Sequence, residues 1–299
     1  MNRALVVLGF LLIPMTALGD PNRQHAPAAP GSIGHGKGTA GRTKLPLPAP
    51  GGSGSPTSVL ALASWLDDAD TLAPGAGSIG VAVSHSDSLD GGETDAPVLD
   101  AAVGLSSRVQ LSGSLPYYQA SYSDGYESSG LGNTSLAVKV KVVDPNEHAV
   151  GLAVAPVLEI LGDASLADPT LGLSRVNWAL PVSVQVGRGN TRAFATAGYF
   201  SRGALFLAAA LEHALSSKFT LTGAISHMYA TSTTHGSDLE GLSRSRTDLT
   251  GSVAWRVAPA LSVAGSLGRT VSSLDQNGAT LLASASISYS IAARKRPQP

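Results

Sequence analysis

Three constellations in this sequence have residue types that chemistry uses. Gly36-Lys37-Gly38-Thr39-Ala40-Gly41 has the glycine spacing of a dinucleotide-binding turn. That motif cradles a pyrophosphate only where a strand ends and a helix begins, and here it lies in Pro- and Gly-rich sequence that forms neither. Ser226 and His227 could supply half of a hydrolytic dyad, but no nucleophile elbow or orienting acid accompanies them, and a rim histidine is expected. Asp67, Asp68 and Asp70 could mimic a cation site. Calcium needs further oxygen ligands at set spacing, so these carboxylates read as the solvated end of a helix before Pro74.

The seven histidines, at 25, 35, 85, 148, 213, 227 and 235, show no zinc-helix spacing, and cysteine is absent. Thiolate chemistry, disulfides and cysteine-ligated metals are thereby excluded. No catalytic residue, cofactor or metal ligand is assigned, and the chain is not expected to be an enzyme. A net charge of −1 with scattered basic residues leaves no electrostatic footprint for nucleic acid.

More informative are eight charged residues that alternate with apolar neighbours: Asp100, Lys139, Lys141, Glu159, Glu212, Arg246, Asp248 and Arg256. The elements that carry them have a period of two. Leu136, Val138, Val140 and Val142 interleave with Ala137, Lys139 and Lys141, and Val176, Trp178, Leu180, Val182 and Val184 interleave with Asn177, Ala179, Ser183 and Gln185. In a strand, successive side chains face opposite ways, so such segments have one apolar and one small, polar face. The chain is 43% hydrophobic but only 14% charged, too few charges to clothe a soluble sandwich. The apolar faces therefore suit lipid. No later run is long enough for a membrane helix, and strands can span a bilayer only as a closed barrel.

The expected fold is all-β: a transmembrane antiparallel up-and-down barrel of about twelve strands. Strands are predicted near 76–86, 97–106, 108–122, 132–143, 149–161, 174–186, 192–200, 203–213, 218–230, 245–257, 261–272 and 280–292. Short turns are expected between them at Ser106-Ser107, 144–147, 187–190, Ser216-Ser217 and 258–260. Longer loops are expected at 87–96, 123–131, 162–173, 231–244 and 273–279, the asymmetry of a barrel with a periplasmic and an outer end. A charge facing lipid costs about 2–4 kcal/mol at the midplane, so the eight charged residues are predicted to line the lumen. Most should brace one another, with Lys139 and Lys141 as the leading candidates for a solute path. An arginine at Val182 should impair insertion and one at Ser183 should be tolerated. Trp178, Trp255, Tyr199, Phe200, Phe219, Tyr229 and Tyr289 are candidates for an aromatic girdle.

Ahead of the barrel, residues 1–19 have the parts of a signal peptide: Arg3, an apolar run to Ile13, and Ala17-Leu18-Gly19 before Asp20. Residues 20–57 form a Pro/Gly/Ala-rich linker. Residues 58–75 read as a short helix or pre-barrel segment, which could plug or cap the barrel or remain a tail. Residues 293–299 are a basic tail.

Gly130-Leu131-Gly132-Asn133-Thr134-Ser135-Leu136-Ala137-Val138-Lys139-Val140-Lys141 resembles the strand opening of the phenol-degradation meta-pathway transporter-like family of outer-membrane barrels. The pair from Val253 to Val263 with Gly268-Arg269-Thr270-Val271-Ser272 is similar to that family's closing hairpin. Asn133 stands where the family has an acid and Val140 where it has an aromatic. The chain also continues past Tyr289 and Ile291 into Arg294-Lys295-Arg296, where such barrels end on an aromatic. The resemblance implies a transporter for small hydrophobic or aromatic compounds. The expectation is an outer-membrane transporter or channel-like barrel. Its partners would be outer-membrane lipid, the barrel-assembly machinery and a small-molecule solute, with no nucleic acid. The alternative is a structural or surface-interaction barrel with a closed lumen.

Overall fold

A computed structural model describes residues 66–89, 91–145, 148–162, 174–201, 203–231, 245–272 and 278–292. The signal peptide, the linker, the Gly36–Gly41 turn and the basic tail lie outside the described residues. Fourteen extended segments are found among the described residues. They are β1 (Gly77–Ser88), β2 (Gly91–Gly104), β3 (Val109–Tyr122), β4 (Glu127–Leu131), β5 (Thr134–Val143), β6 (Gly151–Val154) and β7 (Val157–Ile160), followed by β8 (Val176–Arg188), β9 (Thr191–Phe200), β10 (Ala204–Ala214), β11 (Phe219–Ala230), β12 (Ser245–Ala258), β13 (Leu261–Thr270) and β14 (Ala279–Ile291).

Every pairing is antiparallel and, apart from those of the split strands β4–β7, joins neighbours along the chain, and β1 pairs with β14 from Gly77↔Ile291 to Asp87↔Leu281, which closes the sheet. Segments β4 and β5 both pair with β3. Likewise β6 and β7 both pair with β5 and with β8. Each couple is one wall strand in two halves, so the barrel has twelve strands. Proline accounts for both interruptions, because it has no N–H to give to the ladder. Pro156 itself lies between β6 and β7. At the other break, Gly132 packs against Pro116 of β3, where a β-carbon would come within 2.9 Å of the proline ring.

Two faces follow from the alternation. Along β8, Val176, Trp178, Leu180, Val182 and Val184 are exposed while Asn177, Ala179, Ser183 and Gln185 are buried. The large apolar residues that remain exposed follow the same outward parity on the other strands. Aromatic pairs sit near both ends of this surface: Trp178 and Tyr199 lie 5.9 Å apart at the loop end, and Phe219 stacks on Trp255 at 6.0 Å at the turn end. Phe200 departs from the expected girdle. It faces inward and is 4% exposed, because it shares parity with Ala179 across the ladder.

The wall is taller than expected at the loop end. β1 runs to Ser88 and β2 begins at Gly91, so most of the predicted loop 87–96 is strand, and β4 lies within the predicted loop 123–131. Among the described residues there is no helix, and Leu66–Asp70 is irregular chain rather than the helix expected there. Residues 58–65, the first part of that expected helix, lie outside the described residues.

Candidate functional site: the lumen and its plug

Leu66–Ala69 is buried inside the barrel, against the inward face of β3, β5 and β8–β11. Leu66 packs on Phe194, Ala208, Ala210 and Ala224, an apolar patch on an otherwise polar wall. The backbone that follows has no ladder of its own, and inward side chains satisfy it. Asp67 N–H donates to Thr196 Oγ1 at 3.0 Å, and that hydroxyl donates back to the Asp67 carbonyl at 2.9 Å. Ala69 N–H donates to Gln185 Oε1 at 3.1 Å and Leu72 N–H to Gln110 Oε1 at 2.9 Å.

Charge fixes the same segment. Lys139 Nζ donates to Asp67 Oδ1 at 2.7 Å, to the Asp70 carbonyl at 3.1 Å and to Asp68 Oδ1 at 3.4 Å. Arg192 grips Glu212 with two parallel bonds of 2.9 Å each and reaches Asp68 Oδ2 at 3.0 Å through its remaining arm. Lys141 lies 2.8 Å from Asp144 and 3.6 Å from Asp70. Five carboxylates thus meet three cations in a confined space. Burial, together with the neighbouring Asp68 and against the pull of Lys139, pushes the Asp67 carboxyl up to about 7.

Two glycines admit the plug. Gly104 passes so close to it that a β-carbon would stand 2.3 Å from the Ala73 carbonyl oxygen, and at Gly151 one would stand 3.1 Å from Ala69 Cβ. Gly75, at φ +74°, then turns the chain into β1. Thr71 bonds the Ser107 carbonyl in the β2–β3 turn at 3.2 Å, so the plug occupies the turn end of the lumen.

All eight charged residues singled out in the sequence occupy inward positions of their strands. Lys139 and Lys141 hold the plug, Glu212 holds Arg192, and Arg246 meets Asp248 at 2.9 Å. Asp248 also accepts a 2.7 Å bond from Thr270. Glu159 is 3% exposed and stands opposite Ser135 and Asn177. Asp100 and Arg256 are half-buried on the other side of the barrel.

The reading of Asp67, Asp68 and Asp70 as a solvated helix end is corrected: Asp68 is fully buried. Sequence reasoning also missed Arg192, Gln110 and Thr196, and gave Gln185 only as one residue of a polar strand face. Their inward parity was available, but their partner was an irregular segment with no periodicity of its own. Ser226 and His227 cannot form a dyad, because they occupy opposite faces of β11. His227 bonds Thr247 at 2.8 Å, and Ser226 stands opposite inward Asp248.

A closed sheet with an apolar outer face, aromatics near both ends and a small, polar inner face defines an outer-membrane-type β-barrel. Among solved structures, the chain is similar to an outer-membrane channel from Pseudomonas putida F1, with TM-score 0.54 and 13% identity over 75% of this chain and 98% of that one. It is likewise similar to the NanC porin, with TM-score 0.50 and 7% identity over 71% and 98% of the two chains. At such identities the likeness is one of fold. No family model matches the sequence, and no curated protein matches it.

Proposed function

We propose that this chain is a passive outer-membrane channel, with its short turns toward the periplasm and Leu66–Ala73 partly closing the periplasmic mouth. The carrying observation is the lumen wall. Its Ser, Thr, Gln and charged side chains extend from one end of the barrel to the other, while the outside is apolar. Such a wall suits an interior that water or solute shares. The solved channels of the same fold support this reading. Hydrophobic or aromatic solutes are what the phenol-degradation resemblance implies.

The test is planar-bilayer conductance of the purified barrel, its folded state verified by faster gel migration before boiling than after. Steady current above background supports a channel. Background current, both in the wild type and in a variant whose plug has been loosened, rejects it. The ion network around Asp68 favours one second reading, a surface-interaction barrel whose lumen is closed throughout. That reading predicts no current in either protein.

A further inference from the structure

The plug keeps step with the wall it lies on. Asp68 meets Arg192, which faces Glu212 across β9 and β10. Leu66 lies on Phe194, Ala208, Ala210 and Ala224, the next inward rows toward the loop end. From Leu66 the chain therefore descends from the middle of the lumen to the turn end, where Thr71 bonds Ser107 and Gly75 leads into β1. The chain ahead of Leu66 has to leave the lumen by one of its two mouths.

Above Leu66 the same wall is apolar. Phe206 and Met228 form the next inward row across β10 and β11, and Ala179, Phe200 and Ala204 form the last row before the loop end. Val157 and Met228 pack against that last group. The Phe206 ring lies against Gly198, where a β-carbon would stand 2.4 Å from its Cζ. Phe200 and Phe206 are only 4% and 5% exposed although both face the lumen. An apolar strip on an otherwise polar wall calls for an apolar occupant. The loop segments 163–173 and 232–244 at this mouth contain no Phe, Tyr or Trp, whereas residues 58–65, Ser-Val-Leu-Ala-Leu-Ala-Ser-Trp, join Leu66 directly.

We infer that this strip seats residues 58–65 of the same chain, with Trp65 against Phe206, and that the N-terminal segment leaves the barrel through the loop-end mouth. The inference rests on the barrel reading and does not require the lumen to conduct. The lengths agree. From Ala208 to Ala204 the wall rises by about 13 Å along β10. Residues 58–65 cover about 12 Å as a helix and about 26 Å when extended, so they reach the mouth in either form. Residues 40–57 then stand beyond it. Their only charges are Arg42 and Lys44, and so Pro-, Gly- and Ser-rich a stretch needs no packed partner. An exit at the turn end would instead force the chain to reverse beside Leu66 and would leave the strip to a loop or a solute.

The chain has no cysteine, so single thiols report cleanly. Ser53→Cys is expressed in the full chain beside two exposed controls, Ser123→Cys at the loop end and Ser217→Cys at the turn end. Intact cells are treated with a polyethylene-glycol maleimide too large to cross the outer membrane, and the gel shift of each variant is compared before and after that membrane is opened. Ser53→Cys and Ser123→Cys should shift in intact cells, and Ser217→Cys only after opening. Ser53→Cys behaving like Ser217→Cys means that the chain turns back, and overturns the inference. If the two controls exchange behaviour, the orientation in the proposed function is wrong, while the control that Ser53→Cys follows still decides the exit. Seating on the strip is read in the purified, heat-modifiable protein. A short bismaleimide should join Ser64→Cys to Met228→Cys several-fold more than to Ser284→Cys on the inward face of β14. Equal or inverted yields overturn the seating, and with it the assignment of the strip to this segment.

Discussion

Replacing Lys139 with methionine should release the plug while leaving the barrel intact. The ammonium is the largest single tie: its three bonds go to Asp67, Asp68 and the Asp70 carbonyl. Breaking a buried pair by removing one partner costs about 3–5 kcal/mol. Two features of this site reduce that figure. Arg192 still reaches Asp68 at 3.0 Å, and Asp67, already pushed up to about 7, can take up a proton. A net loss of about 2–3 kcal/mol remains, which lowers the ratio of docked to undocked plug roughly 30- to 150-fold. The strand ladders are untouched, since Lys139 and methionine occupy the same inward position.

The assay is thiol labelling of Ser183→Cys, placed beneath the plug, alone and combined with Lys139→Met. Labelling and channel current should both rise in the combined variant, while the temperature of heat-induced gel migration changes little. Adding Asp67→Asn removes the charge stranded by the lysine's loss and should recover most of the protection. If Ser183→Cys is equally protected with and without Lys139, the plug is held by backbone bonds and packing. The electrostatic account would then be wrong.

Three further outcomes follow from the geometry. Val182→Arg points a cation outward at mid-strand, costs about 2–4 kcal/mol, and should abolish heat-modifiable folding. The inward control for it is Ser252→Arg on the open side, because an arginine at Ser183 would have to displace Thr196 and the plug. Gly104→Ala should lower the heat-modification temperature through a clash of about 1–3 kcal/mol, since its β-carbon would sit 2.3 Å from the Ala73 carbonyl oxygen. Gly223→Ala, which meets nothing within 4 Å, should not. Docking should also depend on pH. Asp67 titrates near 7 in the docked plug against 3.8 when free, so the docked form binds the extra proton between those values, and docking weakens as pH rises through 7. Current at pH 8 should exceed that at pH 5, and Asp67→Asn should flatten the difference.

What was legible in the sequence was whatever repeats with period two. Each wall strand stands where the alternation of Val, Leu and Ile with Ser, Ala and charged residues places it, because one boundary condition, lipid outside and water inside, acts on every second residue. The loop-end extensions were harder to see. Residues 87–96 and Glu127–Leu131 rise beyond the apolar band, where both faces are polar and the alternation disappears. His85, for example, faces outward there and bonds Thr94 and Asp87. The interruptions at Gly132–Asn133 and Ala155–Pro156 follow from prolines whose consequences depend on the neighbouring strand.

The plug was illegible for a different reason. Three aspartates in four residues look solvated unless the cations that meet them are known, and Lys139 is 72 positions away in sequence from Asp67 and 71 from Asp68. The cations alone were equally ambiguous, since an inward lysine can line a solute path or hold an internal anion. The distribution of charge resolves that choice. On one side Lys139, Lys141 and Arg192 are all engaged by Asp67, Asp68, Asp70, Asp144 and Glu212, so that wall offers no positive surface to a passing solute. On the other side the inward face of β14 carries Ser284, Ser286, Ser288 and Ser290, with no charged residue among them. The cations that first suggested a pathway therefore close one side of the barrel. Loosening the plug should uncover lysine and arginine and shift ion preference toward anions, so selectivity as well as current amplitude reports whether Leu66–Ala69 is in place.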